Sequence, residues 1–188
     1  MLNVYQTQPK LRTLALKAIY ELSAHCKYSF TVADVNLLHQ FLTQHYAEMS
    51  VAHASLLMET IAQSMSILSE GSQLKTSLEQ VTAIPIKVLT EANGETLAME
   101  ILKATAVLGR CVKSVSDLPV FVLEEALQGL FEKVWPPLSK VLKDRPFEHE
   151  VVTFICTLVG EVFKALGSQL LNYHTMVETQ LLETFDRS

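Results

Sequence analysis

At 188 residues the chain is long enough for a single domain with an ample core. Its 49% hydrophobic content, with only six glycines and six prolines, excludes a fibrous or disordered class. Fifteen basic against twenty acidic groups argue against direct nucleic-acid binding, and the longest apolar run, Val151 to Gly160, is too short to span a bilayer.

In chain order, the dominant signal is apolar spacing of three and four residues, which puts those side chains on one helical face. The first helix carries Leu11, Leu14, Ala15, Ala18, Ile19 and Leu22, with Pro9 near its start, where a missing donor costs little. Thr31 and Asp34 read as a capping pair before a second helix with Val35, Leu38, Leu42 and Tyr46. A third runs through Ala54, Leu57, Met58, Ile61, Met65 and Leu68, with Gly71 as its stop.

The fourth helix holds Leu74, Leu78, Val81, Val88 and Leu89, with Pro85 inside it, and Asn93-Gly94 is a turn. The fifth carries Leu97, Ile101, Leu102, Leu108 and Val112. After Ser116-Asp117-Leu118-Pro119 the sixth has Leu123, Leu127, Leu130, Phe131 and Val134 and leads into Trp135-Pro136-Pro137. Asp144 and Pro146 open the seventh, striped by Val151, Phe154, Ile155, Leu158, Val162 and Leu166 and ended by Gly167. The eighth has Leu170, Val177, Leu181 and Phe185. No segment alternates as a half-buried strand does, so the chain reads as all-α, with about eight antiparallel helices.

The odd-numbered helices begin near residues 9, 51, 95 and 146, in steps of 42, 44 and 51. This is close to the roughly 40–47 residues of HEAT and armadillo repeats, which stack helical pairs into an α-solenoid. A compact helical bundle is the alternative reading. Pro85 and Pro136 fall at similar places in successive even helices. Since an interior proline costs about 3 kcal/mol, the expectation is a shared bend, with the sixth helix broken near 133–137 and Trp135 packed beside the break as a core anchor.

Catalytic and metal-binding signatures are missing from the sequence. His149-Glu150 opens an HExxH pattern, but Thr153 stands at its last position. His39, His45 and His53 lack the i, i+4 spacing that aims two ligands from one helix. No nucleophile elbow or glycine-rich phosphate loop occurs. Cys26, Cys111 and Cys156 lie far apart, as reduced thiols do. The reading is a non-enzyme without cofactor.

With Trp135-Pro136-x-Leu138-Ser139 set in LFEKVWPPLSKVLKDRPFEHEVVTFICTLVGEVFKALG, and KLRTLALKAIYELSAHC upstream, the chain resembles the importin-β (karyopherin-β) superfamily of nuclear transport receptors. The resemblance is to the middle HEAT repeats of its transportin-3/importin-13 branch. It implies protein cargo, a Ran-GTPase that controls loading, nucleoporins as further partners, and residence in both cytoplasm and nucleus. Family members are several times longer, so the chain is expected to be a segment whose exposed ends, at Leu14 and Leu181, self-associate. The resemblance also places arginines on the helix from Phe147 to Leu166, for phosphorylated arginine-serine cargo. Here that helix carries Glu148, Glu150, Glu161 and Lys164, which fits basic or folded cargo better. On a solenoid the odd helices line the concave surface, making Glu59, Glu100, Glu148, Glu150 and Glu161 candidate partner contacts. A HEAT scaffold for a different, Ran-independent complex is the alternative function.

Overall fold

The computed structural model describes residues 1–26, 30–68, 71–116 and 120–187. Among these there are nine α-helices and no strand: α1 (Leu2–Thr7), α2 (Arg12–His25), α3 (Val32–His45), α4 (Val51–Leu68), α5 (Gly71–Glu91), α6 (Ala98–Val115), α7 (Val120–Asp144), α8 (His149–Leu166) and α9 (Leu171–Arg187). The eight expected helices are α2 to α9. The additional α1 is six residues long, too short to show a period; its buried side chain is Tyr5, and Leu2 packs partly against the core. No helix among the described residues is long and apolar enough to cross a membrane.

Helix ends follow local chemistry. Thr31 and Asp34 form a full capping box: the Thr31 side chain accepts from the Asp34 backbone amide, and the Asp34 carboxylate accepts from the Thr31 backbone amide. That bonding pulls the Asp34 carboxyl below its ordinary range. Gly167 closes α8 with φ at +52°, a conformation that strains any residue with a Cβ. The Asn93-Gly94 turn forms, with the Glu95 amide donating to Asn93 Oδ1 at 2.9 Å.

Two boundaries differ from expectation. Gly71 opens α5 instead of stopping α4; the apolar period resumes at Leu74, so the chain re-enters a helix at once. Asp144 is the last residue of α7 rather than the first of α8. Pro146 lies in the connection, where it holds Arg145 away from helical continuation. Of the Ser116–Pro119 connection, residues 117–119 lie outside the described residues.

The proline-broken helix is also corrected. α7 runs without interruption through Pro136 and Pro137, and α5 through Pro85. The carbonyls that lose their i+4 donors to the paired prolines belong to Glu132 and Lys133, both on the exposed side of α7, within reach of solvent. Trp135 is the core anchor expected: it is buried and stacks on Phe131 at 5.8 Å.

Helices pack mainly on their next-but-one neighbours. α2 lies on α4, α4 on α6 and α6 on α8, while α5 lies on α7 and α7 on α9; α3–α4, α5–α6 and α7–α8 join the two sets. One continuous apolar core fills the space between them. The buried face of α2 is turned from the expected stripe. Ala15, Leu16, Ile19 and Ser23 are buried, whereas Leu11, Leu14 and Leu22 are exposed. At the other end Leu181 packs partly against the core, and the exposed apolar side chains of α9 are Leu171, Met176, Leu182 and Phe185.

Connections are clamped by cations from the next helical pair. Lys103 of α6 donates to the carbonyls of Tyr46, Ala47 and Met49. Arg145 donates to those of Asn93 and Thr96, and Lys140 to that of Ala92. Carbonyls at helix ends lack intrahelical partners and carry the negative end of the dipole, so a cation is the natural donor.

Candidate functional site

α4, α6 and α8 share a second face besides the one in the core. Val51, Ala52, Ser55, Leu56 and Glu59 on α4 fall on one side of that helix. Thr105, Ala106, Gly109, Arg110 and Lys113 do so on α6, and Phe154, Thr157, Leu158 and Glu161 on α8. Each set steps by one, three or four residues, the spacing of a single helical face. Side by side they line a groove of about 700 Å³.

The groove has a direction. Lys103 near the start of α6 reaches Met49 just ahead of α4, and Arg110 further along α6 meets Glu59 further along α4 at 3.6 Å. The two helices therefore run the same way. The small and apolar residues gather towards their starts and the charged residues towards their ends. Gly109 leaves open space: a Cβ built there meets nothing within 4 Å.

The polar groups divide into tied and untied. Thr105 donates to the carbonyls of Ile101 and Leu102, and Thr157 to that of Thr153, all at 3.0 Å or less. Ser55 Oγ is buried without a hydrogen-bond partner. Among the described residues the Lys113 and Glu161 side chains have no ion-pair partner, while Glu59 is paired with Arg110. Arg110 is half exposed whereas the Glu59 side chain is only 18% exposed, so the pair ties α6 to α4 along the groove floor and leaves the guanidinium edge facing solvent. The groove presents two carboxylates and two cations, with Phe154 as an exposed large apolar side chain.

The five carboxylates expected at a partner surface are dispersed. Glu59 and Glu161 share the groove. Glu100 lines a separate depression of about 280 Å³ with Tyr46, Glu91 and Lys103. Glu148 occupies the N-cap position of α8 without a side-chain capping bond and pairs with Arg145 at 2.9 Å, bracing the α7–α8 connection. Glu150 is exposed on α8. The sequence pattern does not single out Arg110, Lys113, Ser55 or Phe154 as contacts; the signal it holds for α6 is the lone Gly109 in a helical pattern.

Among the described residues no group of three or more His, Cys, Asp or Glu is placed to hold a metal ion. The Cys111 thiol is buried and pushed up to about 12 by loss of solvation, which leaves it inert as a nucleophile. No protein-family model, curated protein or solved structure matches the chain.

Proposed function

We propose that the chain is a protein-binding segment of a HEAT-type α-solenoid, gripping its partner in the α4/α6/α8 groove, and that the intact protein is an importin-β-like receptor carrying cargo between cytoplasm and nucleus under Ran-GTP control. One observation carries the binding role: three helices of one set align same-phase faces of small, apolar and charged residues into one open groove. Next-but-one packing along the chain supports the solenoid, since stacked pairs bury a core none could bury alone. The receptor identity rests on the Trp135-Pro136-x-Leu138-Ser139 resemblance.

Gly109→Leu tests the groove. Its side chain enters open space, and removing a mid-helix glycine stabilises by about 0.5–1 kcal/mol. The variant is expected to fold at least as stably as the wild type while losing about tenfold or more in partner affinity, equivalent to about 1.4 kcal/mol. Unchanged affinity in calorimetry with the captured partner would remove the groove from the binding surface.

Capture of partners by the purified intact protein, with and without Ran-GTP, tests the receptor role. The expected result is direct Ran-GTP binding and release of the partner. No affinity for Ran and no Ran-GTP-sensitive partner would sink it. A Ran-independent scaffold is the second reading, favoured by the balanced and partly self-paired charges of the groove; it requires long-lived complexes indifferent to nucleotide.

A further inference from the structure

α1 is a short element attached by contacts that converge on two histidines. The Tyr5 hydroxyl shares a hydrogen bond with His53 Nδ1 at 3.3 Å, and the Tyr5 ring meets the His53 and Phe41 rings edge-on at 5.6 and 5.4 Å. His53 Nε2 is bonded to Thr13 Oγ1 at 2.9 Å. Next to it, the Gln6 amide nitrogen lies 3.1 Å from His45 Nε2. One and a half turns of helix have little stability of their own, so α1 stays docked through these side-chain contacts together with Leu2, which packs partly against the core.

The charges around this contact set favour an uncharged ring at His53. Arg12 donates to the Tyr5 carbonyl at 3.1 Å and lies over the Tyr5 ring at 5.2 Å, so a protonated His53 places a second cation on the same tyrosine. Glu48 lies 3.9 Å from His45 Nδ1 and is the carboxylate facing this cluster.

We propose that α1 is a pH-sensitive latch, held by a neutral His53 against α2 and α4 and released when that ring takes up a proton. The direction follows from linkage. Burial first and Arg12 second lower the His53 pKa below its ordinary value. The docked state therefore binds protons less readily than the released one. Docking strength from this group is fully present above the ordinary histidine value and is lost as pH falls through the lowered one. Release uncovers Tyr5 and the Phe41 edge beneath it.

Amide hydrogen exchange on the full chain tests the latch. Rates for residues 4–8 are compared with those of α6 after correction for intrinsic pH dependence. Between about pH 7.5 and about pH 5 the wild type is expected to lose about two- to threefold of α1 protection relative to α6. His53→Gln, which carries no titrating ring, is expected to show a flat ratio. The wild-type loss should also coincide with the His53 imidazole titration followed by NMR, a comparison that needs no variant. A pH-independent ratio in the wild type, a wild-type-like loss in His53→Gln, or a transition displaced from the His53 titration would each overturn the proposal.

Discussion

Lys103→Met is expected to destabilise the fold by about 2–4 kcal/mol, seen as a lower urea midpoint with an unchanged m-value. Lys103 is 8% exposed, a rare position for a lysine. Its ammonium donates at 2.9 Å to the Tyr46 carbonyl and at 3.2 Å to those of Ala47 and Met49, and sits 4.8 Å over the Tyr46 ring. Methionine keeps the stem's packing and removes the donor. The three carbonyls of the α3–α4 connection then lose a charged partner, each such bond contributing about 1.5–3 kcal/mol. The gain from no longer burying an ammonium offsets part of this. Because the clamp joins α6 to the α3–α4 connection, slow-exchanging amides at the start of α4 should lose protection more than those of α8. A urea midpoint equal to the wild type's would show that water replaces the ammonium at no cost.

The clamps explain why parts of this fold are legible in sequence and others are not. Thr31 with Asp34 and Gly167 act within a few residues, so their chemistry can be read from the local string. The apolar period locates α2 to α9 because each buries one face. It misplaces the face of α2, where Leu11, Leu14 and Leu22 satisfy the same spacing as the buried Ala15, Leu16 and Ile19. Which face turns inwards is decided by α4 across the interface, 40 residues on, and not by the spacing. α1 carries too few residues for any period, and the contacts that fix it come from Phe41 and His53.

The groove escapes sequence reading for a related reason. Ala52, Ser55, Gly109, Arg110 and Thr157 are small, polar or charged, and on a single helix such a face is indistinguishable from a solvated one. They become a site only where α4, α6 and α8 lie side by side. Acidic residues selected one helix at a time therefore scatter: Glu59 and Glu161 reach the groove, while Glu148 serves the α7–α8 connection and Glu100 a separate depression. The prolines teach the converse. Local rules predict a break at 133–137, and packing on both sides of the bonds that Pro136 and Pro137 remove keeps α7 continuous.

That balance makes Trp135→Ala the change with the largest expected cost, about 3–5 kcal/mol. Trp135 is 6% exposed and stacks within 17° of parallel on Phe131. Phe131 in turn meets Phe163 of α8 and Tyr173 of α9 edge-on at 6.0 and 5.4 Å. Truncation opens a cavity where three helices meet, and it does so at the residue whose helical geometry, kept here, Pro136 disfavours. With the indole gone, nothing offsets that bias, so α7 should fray beyond Pro137. Lys140 would then release the Ala92 carbonyl and Ser139 the Gln180 amide oxygen, contacts that tie α7 to the end of α5 and to α9. Circular dichroism should report the lost stability, and amide exchange a loss of protection concentrated at 138–144. Adding Pro136→Ala, at an exposed position, restores a donor for the Glu132 carbonyl and should recover about 1–2 kcal/mol in the Trp135→Ala background. In the wild-type background, where packing already holds α7 together, the same substitution should recover less. Equal effects in both backgrounds would mean that Trp135 and the paired prolines act independently, and that the indole contributes burial alone.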